Sequence, residues 1–419
     1  MKSLIQSIKE GYSPLKLRNF RIYVSGQAMS MIGTWMQMTA QSWVVWELTH
    51  SELKLGIVAM LGFIPFVLLG PWSGVWADIL DRRKLLIGTQ VSAMILAVIF
   101  AVLVQTNSIQ LWHVYILSAL LGVVNTLDMP AQSAFIGDLS GIQHIRKAVA
   151  VNSTLVQISR MLGPALAGWV IAGFGVAPAF WLNALSFVAV IFSLMAISSS
   201  QAVHKRTGNH LNEFLDGVRF ICSQPRILDL MFLTLVLTFF AFSAVQIMPA
   251  VATDVLHGDA RVLGNLLGSA GAGALLGSMI IMPLTAKIKK VGLLAAIATI
   301  WTGLWFVIFA LSRNIYASML FLFLSNLLAP LIFITTSSVM QASAPANMRA
   351  RLMSALLMII FGIQPVASIF IGYSAHKLGS PLAILINGAL MIAGTLAILL
   401  FRPELRKWEV EEGGRTNKY

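Results

Sequence analysis

Runs of about 20 apolar residues, the number an α-helix needs to cross a hydrocarbon layer some 30 Å thick, recur along the whole chain. They occupy residues 20–48, 55–76, 85–104, 111–134, 149–174 and 177–198 and, after a polar interval, 228–251, 263–284, 291–312, 315–339, 352–373 and 381–401. A lipid interior satisfies no backbone hydrogen bond, so runs of this length must close their bonds internally as helices. The expectation is an all-α membrane protein with about 12 transmembrane helices in two pseudosymmetric sets of six. Composition agrees: 58% of the 419 residues are hydrophobic and 11% are charged, where a soluble globule carries about 25% charged residues.

A net charge of +13 raises nucleic acid as a partner, and the topology removes it. Most of the cations fall between even- and odd-numbered spans or at the termini, the asymmetry of a multi-pass inner-membrane protein with both termini in the cytoplasm. The implied division is a cytoplasmic N-terminal segment (1–19), a six-helix bundle (20–198), a cytoplasmic linker (199–227), a second six-helix bundle (228–401) and a cytoplasmic tail (402–419). Leu4, Ile8 and Tyr12 share one helical face, as a short helix lying on the membrane would need, and no cleaved signal peptide is expected. The linker carries His204, Lys205 and Arg206, then Leu211, Phe214, Leu215, Val218 and Ile221 at helical spacing, an amphipathic tether. Cys222 is the one cysteine, so no intrachain disulfide forms.

Gly74, Ala77, Asp78, Asp81, Arg82, Arg83 and Lys84 make a short charged loop between the second and third spans. Topology explains the cations; small residues and an acid beside them suggest close helix crossing and an anion set against a helix N-terminus. This stretch resembles the signature loop of the major facilitator superfamily, Gly-x-Leu-Ala-Asp-Arg-x-Gly-Arg-Lys. Gly74, Ala77, Asp78 and Arg82 match in register and Arg83 keeps the final charge, whereas Trp76, Ile79 and Asp81 depart from it. The resemblance implies a gating latch in which Asp78 caps the eleventh helix, near Leu352, and the basic residues reach an acid near the fourth, which draws Asp128 toward Arg82 or Arg83.

In the fifth span, Pro164 withdraws the donor to the Arg160 carbonyl, and Gly163, Ala167 and Gly168 permit close contact. The segment is similar to the Gly-Pro-x-x-Gly-Gly motif of facilitator-type antiporters, with Ala167 in place of one glycine. Ser153 to Pro164 has the spacing of Ser354 to Pro365, each after a basic loop, so the two halves echo one another. Lys287, Lys289 and Lys290 stand where a second copy of the opening loop belongs, without an acid.

Gln27, Ser30, Thr34, Gln37 and Gln41 line one face of the first span. Unpaired polar groups are costly in lipid, so the stripe either faces a substrate cavity or hydrogen-bonds neighbouring helices. Asp128 and Arg160 are ionisable residues inside spans, each costing at least about 2.5 to 3.5 kcal/mol at a helix centre without a partner or water. Arg160 is the cavity candidate, meeting an anionic substrate group or acting on the proton of a nearby carboxylate; a structural pair with Asp128 is the alternative. Drug exporters of this superfamily carry an arginine in the fourth span where Ser118 aligns. Span eight holds Gly264, Gly268, Gly273 and Gly277, a packing pattern.

No phosphate-binding loop, metal-ligand spacing or nucleophile elbow occurs in the sequence, so no cofactor, metal or enzymatic activity is expected. Beyond the superfamily, the first half is similar to the branch of enterobactin exporters and macrolide-efflux proteins, through Leu17 to Phe20, Gly33 to Gln37, Trp46 to Ser51, the opening loop, Asp128 to Ala131 and Asn152 to Gly168. The resemblance implies a monomeric secondary transporter that exports amphipathic, drug- or siderophore-like small molecules in exchange for protons by alternating access. An importer or lipid flippase on the same scaffold is the alternative within transport, and a non-transporting sensor or assembly subunit is the alternative outside it.

Overall fold

The computed structural model describes residues 13–197, 219–281, 284, 290–343, 349–402 and 405. These residues form helices and their connections. Eleven helices are long and apolar enough to cross a membrane: α2 (Glu52–Gly74), α3 (Arg82–Gln105), α4 (Leu111–Gly141), α5 (Gln143–Phe174), α6 (Ala177–Ala196), α7 (Pro225–Val255), α8 (Ala260–Ile281), α9 (Val291–Leu311), α10 (Ile315–Gln341), α11 (Ala355–Leu378) and α12 (Ser380–Phe401). Preceding them, α1 (Arg18–Thr49) has 32 residues, about 48 Å at 1.5 Å per residue and ample for a span. It is absent from the apolar set, as the expected polar stripe implies.

Local chemistry sets the breaks. Asp81, a departure from the signature loop, is the N-cap of α3, and its carboxylate accepts the Lys84 N–H at 3.1 Å, a cap worth about 1 kcal/mol. Gly141, at φ 67° and ψ 165°, turns the chain between α4 and α5 in a region only glycine occupies without strain. Pro164 stays within a continuous helix, but its counterpart Pro365 sits in the first turn of a new helical segment, Gln364–Leu378, after the segment Arg349–Gly362. The repeat is thus unequal: the helix runs on through Pro164 but is divided just before Pro365.

The least regular span is α7. It contains π-helical turns at Thr238–Phe242 and Val251–Val255, and between them a 3-10 turn at Val245–Ile247 followed by Pro249. Widened turns misalign backbone carbonyls, and side chains of other helices serve two of them: Asn387 donates to the Phe240 carbonyl at 3.0 Å and Gln364 to the Thr238 carbonyl at 3.4 Å.

Helices α1 to α6 meet α7 to α12 chiefly where α5 packs on α8 and α2 on α11. Glycines face glycines at both crossings. A Cβ on Gly168 would strike the Ala260 carbonyl and the Gly264 backbone, and one on Gly372 would strike the Glu52 carbonyl and Gly56. In span eight, Gly264 and Gly268 face α5 while Gly273 and Gly277 face the backbone of α10 at Phe323 and Leu327, the packing role read from their spacing.

The buried core differs between the two ends of the molecule. Toward the end bearing His50, Gly175 and Gly379, one cluster runs through both halves, from Met36, Trp46 and Ala167 to Val251, Leu263 and Ile371. Toward the end bearing Arg82, the buried residues among those described divide: Phe20, Tyr23, Leu86 and Phe135 form a cluster confined to the first half, whereas Leu230 and Met391, and Met231 and Leu352, belong to two clusters confined to the second.

The sequence-predicted linker helix from His204 to Val218, together with Lys287 and Lys289, lies outside the described residues, while Ile221 is buried and Cys222 exposed.

Candidate functional site

The charged loop holds its shape through groups in its own half. Arg82 donates from one nitrogen to both carboxylate oxygens of Asp138, each at 2.9 Å, and its Nε donates to the Ala77 carbonyl at 3.2 Å. Arg83 caps the C-terminal turns of α6, donating to the carbonyls of Leu194 at 2.7 Å and Met195 at 2.8 Å, where a cation also opposes the negative helix end. These contacts correct the expected pairing with Asp128. Asp138 lies ten residues farther along α4, about 15 Å closer to the loop, and it takes the acidic position. Ala77 is buried as the close crossing requires, but a Cβ on Gly74 would meet nothing within 4 Å, so Gly74 faces open space. The Asp78 side chain lies outside the described residues; Leu352, the residue near its expected target, is fully buried.

Asp128 sits in a polar network inside the first half. Its Oδ1 accepts from Thr89 Oγ1 at 2.5 Å and from Gln90 Nε2 at 2.9 Å, and the Gln90 side-chain Oε1 accepts from Ser30 Oγ at 3.3 Å. Among the described residues no cation pairs with Asp128, which removes the structural pair with Arg160. The first-span stripe belongs largely to the same brace. Gln37 accepts from Asn183 of α6 at 2.6 Å, Gln41 donates to Ser118 of α4 at 2.7 Å, and Thr34 donates to the Ser30 carbonyl one turn back. Gln27, Ser30 and Gln37 are at most 5% exposed. For Ser30, Gln37 and Gln41 the interhelical alternative therefore describes the structure, and the cavity-lining expectation is corrected: a closed helix pair satisfies these groups without solvent.

The glycines of the antiporter-like motif lie at close helix crossings. Gly163 lets α5 lie against Ile32, Trp35 and Met36 of α1, while Gly168 admits α8. Ala167 is fully buried. The Arg160 carbonyl, deprived of its helical donor by Pro164, faces the backbone of α8 at Gly271, where a Cβ would collide with it.

Arg160 itself enters a cleft walled mainly by the second half. The guanidinium carbon is 5.7 Å from the Trp35 ring centre and 5.2 Å from that of Phe242. Leu237, Val245, Met248, Leu267, Phe306 and Asn326 are among the lining residues. A desolvated cation–π contact is worth about 2 kcal/mol, so two of them offset much of the charge's burial cost of about 2.5 to 3.5 kcal/mol. Neither ring accepts an in-plane hydrogen bond.

Sequence reasoning missed Asp138, although the position of an acid at the loop end of α4 is a readable signal. It missed Asp229, which is 2% exposed and 3.7 Å from Arg402. Phe242 and Asn326 carry no sequence signal, because an apolar run conceals which of its members meet a cleft.

Comparison with known proteins follows the same lines. The profile of the transmembrane secretion effector family, a branch of the major facilitator superfamily, matches residues 9–419. The MFS-type transporter YfiS of Bacillus subtilis is 28% identical over 49% of this chain, and the match spans only about half (49%) of that relative's length. Macrolide efflux protein A of Streptococcus pyogenes is 21% identical over 96% of this chain and 100% of its own, and the enterobactin exporter of Citrobacter koseri is 25% identical over 80% and 79%. A bacterial homologue of the lysosomal transporter Spinster, in an inward-facing, occupied conformation, has the same fold, with a TM-score of 0.72 at 12% identity, covering 94% of this chain and 99% of that one. The chain belongs to the transmembrane secretion effector family of the major facilitator superfamily.

Proposed function

We propose that this protein is a secondary transporter that exports amphipathic small molecules across the cytoplasmic membrane in exchange for protons. In this reading residues 20–198 and 228–401 are two bundles that rock about the Arg160 cleft, with both termini in the cytoplasm and one chain as the working unit. One observation carries it: among the described residues the buried core is continuous between the halves at one end and divided at the other. A packed core moves between discrete arrangements rather than deforming smoothly, so a joint closed at one end and parted at the other is the geometry of alternating access. The positive-inside rule puts the divided end, with Arg82, Arg83 and Lys84, in the cytoplasm, which makes this an inward-facing state. The names of the relatives, an efflux protein and an exporter, favour outward transport.

Asp138 with Arg82 holds the loop so that Asp78 can meet the second half when the inner ends close, which completes the latch. Pro164 and the facing glycines make the α5–α8 joint on which the halves turn. Asp128 is a carboxylate within a span that can carry the exchanged proton, since neutral donors surround it, whereas Asp229 in α7 lies beside Arg402.

Uptake of a chemically broad panel into inverted membrane vesicles tests the reading. Accumulation that needs an imposed proton gradient is the expected result. Equal movement with and without the gradient removes proton exchange, and no movement of any compound removes export.

A further inference from the structure

The Arg160 cleft has a composition that selects by charge. Its lining contains one cation and no acid, and Asn326 is the other lining side chain with polar hydrogens. Asn326 uses its amide hydrogens on its own helix, donating to the Leu322 carbonyl and to Ser325 Oγ, both at 3.0 Å. The guanidinium is therefore the donor the cleft can offer a guest. It has five N–H groups, and among the described residues it finds ring contacts but neither a carboxylate nor a carbonyl acceptor. Elsewhere the chain does satisfy its arginines: Arg82 takes a carboxylate and Arg83 two carbonyls.

We propose that this cleft is an anion-selective subsite that takes the carboxylate end of an amphiphile, the guanidinium meeting the carboxylate in its own plane and Phe242, Phe306 and Met248 meeting the first carbons of the apolar body. The proposal rests on the export reading for its role in transport and on the cleft alone for binding. A carboxylate matches the fork of an arginine with two parallel hydrogen bonds, and such charge-assisted bonds strengthen where water is scarce. An amphipathic cation would face the uncompensated positive charge and is disfavoured. The two rings come from opposite halves, Trp35 from α1 and Phe242 from α7. Rocking of the halves thus changes how many rings neighbour the cation, and a bound anion compensates when one departs.

Equilibrium dialysis of the whole protein in nanodiscs tests this with two slender probes of matched shape, butanoate and its uncharged amide butanamide. Wild type is expected to prefer the carboxylate by at least about tenfold, the equivalent of one charge-assisted hydrogen bond. Arg160→Gln should abolish that preference, weakening the carboxylate's binding more than the amide's. Arg160→Lys should keep part of it, and Asn326→Leu, a second variant in the same cleft, should keep all of it if it folds. Equal binding of both probes by wild type, or an undiminished preference in Arg160→Gln, overturns the proposal. Vesicle transport separates this failure from failure of the export reading. Gradient-driven export of neutral or cationic amphiphiles without carboxylate preference overturns the subsite alone. Carboxylate-selective binding without movement of any compound overturns export and leaves the subsite standing.

Discussion

Arg82 and Asp138, 56 positions apart in sequence, are joined by two hydrogen bonds of 2.9 Å from one guanidinium nitrogen. Their side chains are 22% and 34% exposed, so the pair adds at most about 1 kcal/mol to stability. Its effect should instead appear in cycling. We expect Asp138→Asn to insert and fold normally and to cut transport as strongly as Arg82→Gln does, with the exchange Arg82→Asp plus Asp138→Arg restoring part of it. Wild-type transport by Asp138→Asn at equal expression would show that the loop needs no such brace.

At the closed end, Gly168 and Gly264 leave no room for a side chain. A valine at either position overpacks the joint by about 1 to 3 kcal/mol, a cost borne only while that end is shut. Gly168→Val should therefore shift the population toward opening there. The measurement uses a cysteine at Leu267, a cleft-lining residue, in a Cys222→Ser background. A membrane-impermeant maleimide should label it from the inner face in the parent and from the outer face as well after Gly168→Val. Unchanged sidedness would separate this crossing from gating.

The spans and the charged loop were legible because they obey rules of length, charge and spacing that act within about 20 residues. Partners across the bundle were not. The run containing Asp128 and Asp138 carries one readable signal, the loop-end position of Asp138, but the contact with Arg82 itself depends on the rise of α4 past α3, set by packing. The stripe was read correctly as a polar face, but whether it met solvent or Gln90, Ser118 and Asn183 of other helices was decided by how closely α1 lies on them. The irregular turns of α7 were hidden for a related reason: the side chains that serve their carbonyls, Gln364 and Asn387, lie more than 120 positions away.

Cys222 tests orientation directly. Its thiol is exposed, between α6 and α7, and the proposed topology, from the charge asymmetry, has that connection in the cytoplasm. An impermeant maleimide should leave it unlabelled in intact cells and label it in inverted vesicles. Labelling from outside would reverse the topology and with it the direction of transport.

Asp128 is the proposed proton carrier, and Thr89 makes that role testable. A threonine hydroxyl has one hydrogen, yet Thr89 Oγ1 lies within bonding distance of two acceptors, the Leu86 carbonyl at 2.9 Å and Asp128 Oδ1. If Asp128 is ionised, Thr89 gives its hydrogen to the carboxylate; if Asp128 is protonated, the carboxyl donates to Thr89, which turns its own hydrogen to the carbonyl. One hydroxyl rotation accommodates both states, while Gln90 donates throughout. Asp128→Asn keeps the shape but holds no exchangeable carboxyl proton. It should fold, move substrate down a concentration gradient and fail to accumulate it against one when a proton gradient is imposed. Thr89→Val removes the rotating hydroxyl and leaves the acid, so it should shift the pH dependence of transport while preserving gradient-driven accumulation. Accumulation by Asp128→Asn at the wild-type level would assign the proton to another group.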